Sequence, residues 1–130
     1  MILLDTNVLI RIDDVLLPED DLVVSALSYA ELRFGVQSAS DAEQRRRRRA
    51  TITRIEQLLA PSWLPFTDRA AEAYAALAAT VSKVRPAHAR SIDTLLAGHA
   101  LSLGAGVLTL NPKDFELVAD ELPIVVPKLR

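Results

Sequence analysis

A chain of 130 residues that is 50% hydrophobic and 25% charged has the size and make-up of one folded unit, which excludes disordered, collagen-like and low-complexity classes. It contains no cysteine, so disulfide scaffolds, thiolate zinc sites and cysteine nucleophiles are excluded too. The formal net charge of −2 does not suggest a nucleic-acid binder, but its distribution is uneven: residues 41–90 hold 10 Lys and Arg against 5 Asp and Glu, whereas residues 1–40 hold 2 against 7.

Met1 to Leu4 is a short apolar run that ends in Asp5-Thr6-Asn7, the pattern of a buried strand leading into a helix start. No positively charged leader precedes it, so a cytoplasmic protein is expected. The stretch from Leu9 to Leu17 is rich in apolar residues, consistent with a groove for a second copy or a partner, or with burial inside the domain. Leu22-Val23-Val24 predicts a second strand. Ser25 or Ser28 then caps a helix whose inner face is expected to carry Leu27, Ala30 and Phe34, ending near Gly35 or Ser38-Ala39-Ser40.

Asp41 opens a longer helix with Ile52, Ile55, Leu58 and Leu59 inward, and Pro61 ends it. Trp63 to Phe66 predicts an edge strand, since Pro65 cannot donate to a ladder. Thr67-Asp68 caps an alanine-rich helix to about Lys83, broken by Arg85-Pro86. Residues 91–103 predict a helix apolar on nearly all sides and therefore buried. Leu95 to Leu110 is the longest nearly apolar stretch, but it is interrupted by His99 and three glycines and is too short to span a bilayer, so no membrane role is expected. Gly104-Ala105-Gly106 turns into a strand at 107–110, and Ile124-Val125-Val126 is the last strand. Non-alternating strands separated by helices predict one three-layer α/β domain over residues 1–130, with a central, mostly parallel sheet of about five strands and helices on both faces.

In such sheets, ligands bind at the carboxyl ends of the strands, and acidic or polar residues stand there. Asp5 follows the first strand and also suits an N-cap. Glu31 shares the expected inward face of its helix, where a lone carboxylate is costly, so a cation is expected near it; Arg33 points elsewhere. Asp93 lies in the first turn of the buried helix, where a helix dipole alone would explain it. Asn111 and Asp114 follow the strand at 107–110, in which Thr109 lies, and a turn and a cap are the simple account. Three or more acids at one sheet edge repel unless cations neutralise them. All-oxygen donors, with only His88 and His99 available beside them, favour Mg²⁺, with Mn²⁺ as a substitute, over zinc.

Four segments together, Met1-Ile2-Leu3-Leu4-Asp5-Thr6-Asn7, Tyr29 to Gly35, Arg90 to Ala100 and Thr109 to Phe115, resemble the PIN-domain ribonucleases and, more narrowly, the VapC toxins of bacterial toxin–antitoxin pairs. The resemblance spans essentially the whole chain. It implies a Mg²⁺-dependent endoribonuclease that acts on RNA, is silenced by a cognate antitoxin and works as a homodimer or a toxin–antitoxin hetero-oligomer. Asp5 and Asp93 match the family's principal metal-ligating acids. Glu31 matches the acid that ligates a second metal or positions water, and Thr6 the hydroxyl beside the first acid, with Asn7 next to it. The fourth acidic position falls to Asp114; many relatives carry Asp where this chain has Asn111, which offers a hydrogen bond but no charge. Gly98-His99 departs from the commoner Ala-Ala or Ala-Thr, which leaves His99 without a role in the pattern.

Arg45, Arg46, Arg47, Arg48 and Arg49 wrap around a predicted helix at 100° per residue. They suit a solvated surface, an RNA backbone or an acidic antitoxin tail. Arg90 is expected to pair with Asp93, or else with a substrate phosphate. The aromatic residues, Phe34 among them, are expected in the core rather than against bases. Two other readings compete: a PIN-like module that binds RNA or protein without cutting, which the acids argue against, and a receiver-type Mg²⁺-binding signalling domain. The latter needs an acid pair directly after the first strand, where this chain has only Asp5.

Overall fold

Ile2, Leu3 and Leu4 are all buried, but to opposite sides: Ile2 and Leu4 pack with Val8, Ile52 and Ile55, whereas Leu3 packs with Leu77, Val81 and Leu96. That alternation is the strand pleat, and it identifies a central strand covered on both faces. In the computed structural model, which describes residues 1–130, β1 (Ile2–Leu4) leads into α1 (Thr6–Ile10), followed by the short β2 (Val15–Leu16) and then β3 (Leu22–Ser25). After these come α2 (Ala26–Gln37), α3 (Ala42–Leu59), β4 (Trp63–Leu64), α4 (Asp68–Ser82), α5 (Ile92–Ser102), β5 (Gly106–Leu108), β6 (Ile124–Val125) and β7 (Lys128–Leu129).

The main sheet has five strands in the order β4-β3-β1-β5-β6, and every neighbouring pair is parallel. Helices α1 to α3 cover one face, and α4 and α5 the other. This is the three-layer arrangement expected. An unanticipated second sheet pairs β2 with β7 antiparallel. β5 ends at Leu108 rather than Leu110, because the Asn7 side chain accepts the Leu110 N–H and draws the chain out of the ladder. The segment Pro112–Val118 forms a 3₁₀ helix where only a turn was expected.

Ser25 is the cap of α2, its hydroxyl accepting the Leu27 N–H. The inner face of α2 is not the expected one. Ser28, Leu32 and Val36 are buried, a stripe at four-residue spacing, whereas Ala30 is exposed and Phe34 is 71% exposed. The stripe is displaced because Ser28 turns its hydroxyl inward to Thr6. On α3, Ile52 and Ile55 are buried as expected, but Leu58, in the last turn of the helix, is 46% exposed. Of the Leu9–Leu17 stretch, Leu9, Ile12 and Val15 are buried in the domain, whereas Ile10 and Leu16 face outward.

Helices α4 and α5 cross where residue 98 has no side chain: a Cβ on Gly98 would lie 2.4 Å from the Tyr74 Cα. No helix is long and apolar enough to cross a membrane.

Candidate active site

The carboxyl edge of the sheet gathers residues from four distant segments. Asp5 caps α1: its Oδ1 accepts the Thr6 N–H at 2.8 Å and its Oδ2 accepts the Thr109 hydroxyl at 2.8 Å. Its backbone N–H donates to the Leu108 carbonyl, which fixes Asp5 to the end of β5. Asp5 is buried, and burial is the main cause that holds its carboxyl above the ordinary range; the Glu31 and Asp114 charges add to it, against the two hydrogen bonds that favour the ion.

Thr6 joins the first acid to Glu31. Its hydroxyl lies against a Glu31 carboxylate oxygen and 2.9 Å from the Ser28 hydroxyl. A hydroxyl has one proton, and a carboxylate only accepts, so Thr6 donates to Glu31 and Ser28 donates to Thr6. No cation pairs with Glu31, contrary to expectation: the ion pairs of the structure are Met1 N-terminus–Asp20, Arg11–Asp14 and Arg54–Asp13. The shifted face of α2 explains this, because Glu31 is half-buried at the edge of the stripe rather than sealed beneath it. Arg33 does turn away, donating to the Tyr29 hydroxyl and lying over its ring.

Asp93 lies in the first turn of α5, whose cap is Ser91. Burial pushes its carboxyl up to about 6, with the charges of Asp5, Asp114 and Glu31 adding and His88 opposing. Arg90 does not pair with it: Arg90 is exposed and belongs to no ion pair. The 3₁₀ turn of Pro86–His88 and the cap at Ser91 turn the chain between them, leaving Arg90 toward solvent.

The loop after β5 is held from three sides. Asn7 accepts the Leu110 N–H, Thr109 accepts the Asn111 N–H at 3.0 Å, and the Asn111 side chain donates to the Asp114 carboxylate at 2.7 Å. Thus Asn111 orients Asp114. His88 Nε2 donates to the Asp114 carbonyl at 2.8 Å, and the Thr94 hydroxyl donates to the His88 carbonyl, so the loop is tied to the start of α5. Sequence reasoning named His88 only as an available donor and Ser28 only as an alternative cap, and missed these contacts. The His88 contact spans 26 residues and leaves no local signal; Ser28, a hydroxyl three residues before Glu31, did leave one.

Asp5, Glu31, Asp93 and Asp114 therefore act on one another electrostatically, with Thr6, Asn7, Thr109 and Asn111 supporting them. No three acidic or imidazole side chains already stand close enough to enclose an ion. The donor set, however, is all oxygen, and its central carboxyls carry charge that no Lys or Arg neutralises, which fits a hard divalent cation.

The arginine run does not act as a unit. Arg46, Arg47 and Arg49 are exposed, whereas Arg48 donates to the Gly35 carbonyl and lines a cleft of about 420 Å³ together with Thr6 and Glu31. His99 gains a role: it is buried, 2.8 Å from the Ser25 hydroxyl through Nδ1, with Phe66 edge-on at 5.6 Å.

The sequence matches the PIN domain profile over residues 2–121. It is 33% identical over 131 aligned positions to ribonuclease VapC1 of Haemophilus influenzae (strain R2866), covering 91% of this chain and 92% of that one. The fold superposes on a chain of VapBC-1 from nontypeable Haemophilus influenzae with a TM-score of 0.63 and 33% identity, covering 95% of this chain and 96% of that one. A chain of VapBC-5, a toxin–antitoxin system of Mycobacterium tuberculosis, gives a TM-score of 0.68 at 25% identity, covering 95% and 94%.

Proposed function

The chain belongs to the PIN-domain family, and on that premise we propose that it is a VapC-type toxin: a Mg²⁺-dependent endoribonuclease held silent by a cognate antitoxin. The observation that carries this reading is the electrostatic coupling of four carboxylates, with Asp5 and Asp93 held above their ordinary range and no basic side chain paired to either. Residues 1–130 form a single PIN domain in this reading, working in the cytoplasm as a homodimer or bound to the antitoxin.

Asp5 and Asp93 would hold the metal, with Glu31 on a second ion or on the attacking water, and Asp114 completing the charge. Mn²⁺ would substitute. When bound, such a cation activates water and neutralises charge on the leaving oxygen. The chain's own part is positioning. Thr6 fixes the Glu31 carboxylate, Thr109 fixes Asp5, and Asn111 and His88 fix Asp114 by its side chain and its backbone. Water as nucleophile leaves the ribose 2′-hydroxyl out of the reaction, so the products end in 5′-phosphate and 3′-hydroxyl. Arg45 to Arg49 and Arg90 supply positive surface for the RNA backbone.

The test is cleavage of mixed cellular RNA in Mg²⁺ against EDTA, by wild type and Asp93→Asn. Cutting that needs the metal and is lost in the variant supports the reading. Cutting that persists in EDTA, or products with a 2′,3′-cyclic phosphate, overturns it.

A further inference from the structure

The cleft beside Glu31 has two unlike walls. Ile10 and Leu32 make one apolar, whereas Ser38, Thr51 and Arg48 put hydroxyls and a cation on the other. Its volume of about 420 Å³ is within the range of clefts that take small organic groups. Arg48 is half-buried and has no carboxylate within ion-pair distance, although Glu31 lines the same cleft. One of its five N–H groups is spent on the Gly35 carbonyl, which holds the guanidinium at the cleft and leaves the others free. Phe34 does not itself line the cleft, but it adjoins Gly35, which does, on α2, and it is 71% exposed, an aromatic ring with no core to fill.

A half-buried, unpaired guanidinium attracts an anion, and a planar arginine suits phosphate. An apolar wall and an exposed ring beside it suit an unstacked base. We propose that this cleft holds the nucleotide next to the bond that is cut, with Arg48 on its phosphate and Phe34 stacked on its base, in single-stranded RNA. The proposal rests on the ribonuclease reading and extends it: the substrate leaves the acidic edge on the Glu31 side, through the gap between α2 and α3. It separates Arg48 from the other four arginines, which do not line the cleft.

The test uses a labelled, mixed-sequence, single-stranded oligoribonucleotide, with cleavage rates in Mg²⁺ and affinity by fluorescence anisotropy in EDTA, both across a range of salt. Arg48→Gln is expected to raise KM about tenfold while changing kcat less than about threefold, and to reduce the logarithmic salt slope by about one. Arg48→Lys should keep the salt slope and recover part of KM. Phe34→Ala, at an exposed position that the fold does not need, should raise KM about fivefold or more. If wild type cuts and neither KM nor the slope moves, the subsite is overturned and the ribonuclease reading stands. If wild type does not cut, that reading falls, and anisotropy decides the subsite alone: weaker binding by both variants supports it, and unchanged binding overturns it. Variants that hold RNA normally but lose a glutamate-rich peptide would assign the cleft to a protein partner and overturn it as well.

Discussion

Thr109 and Asp5, separated by 104 residues, share a hydrogen bond of 2.8 Å in which the hydroxyl donates to the buried carboxylate. The same oxygen of Thr109 accepts the Asn111 N–H. One hydroxyl thus orients the acid that follows β1 and shapes the loop that carries Asp114.

Thr109→Val keeps the shape and removes both functions. A buried carboxylate left short of a donor costs about 1–3 kcal/mol, and the Asp5 carboxyl rises further. Urea denaturation should show that loss, and Thr109→Ser should recover most of it. A Val variant as stable as wild type would refute the linkage.

Asp93→Asn should abolish cleavage and yet stabilise the metal-free protein. The Asp93 carboxyl lies at about 6 in the fold against 3.8 for the free group, so its stabilising contribution is present at low pH and is lost as pH rises through about 6. At pH 8 the amide should gain on the order of 1 kcal/mol after allowance for partial exposure, and the gain should fade toward pH 4. Thermal melts of both proteins across that range check the sign. Saturating Mg²⁺ should raise the melting temperature of wild type but not of the variant.

Gly98→Ala tests the crossing of α4 and α5. An alanine inside a helix would ordinarily gain about 1 kcal/mol over glycine. Here the added Cβ meets the Tyr74 Cα at 2.4 Å, and backbone cannot step aside as a side-chain tip can. A net loss of about 2 kcal/mol or more is expected in chemical denaturation. A neutral or stabilised variant would mean that the helices separate easily.

His99 is held below its ordinary 6.5 by burial. A folded value below the unfolded one gives stability that is complete above pH 6.5 and declines as pH falls beneath it. Asp93 has the opposite slope, so the two are separated by difference: His99→Gln should remove the acid-side loss that wild type shows relative to it. Identical pH profiles would show that His99 does not titrate with unfolding.

Much of this was legible in the sequence, and the reasons differ by residue. Apolar runs too short to alternate gave the parallel sheet, and acids just after strands gave Asp5 and Asp114 a common edge. The face of α2 was misread because Phe34 was taken as core and Ser28 as an alternative cap; instead Ser25 is the cap, the Ser28 hydroxyl is bonded inward and Phe34 is left outside. The cation expected beside Glu31 is replaced by the Thr6 hydroxyl, a contact over 25 residues that no spacing rule announces. Arg90 was expected on Asp93 from sequence distance alone, and the intervening cap at Ser91 turns it out.

The middle of the sheet is made from the two ends of the chain. β1, the first strand synthesised, lies between β3 and β5, and β5 begins only at Gly106. Its completion therefore waits for a partner made about a hundred residues later, and a chain still emerging from the ribosome has Asp5 without the Leu108 carbonyl and the Thr109 hydroxyl that seat it. The acidic edge is therefore assembled only once residues 106–109 have joined β1.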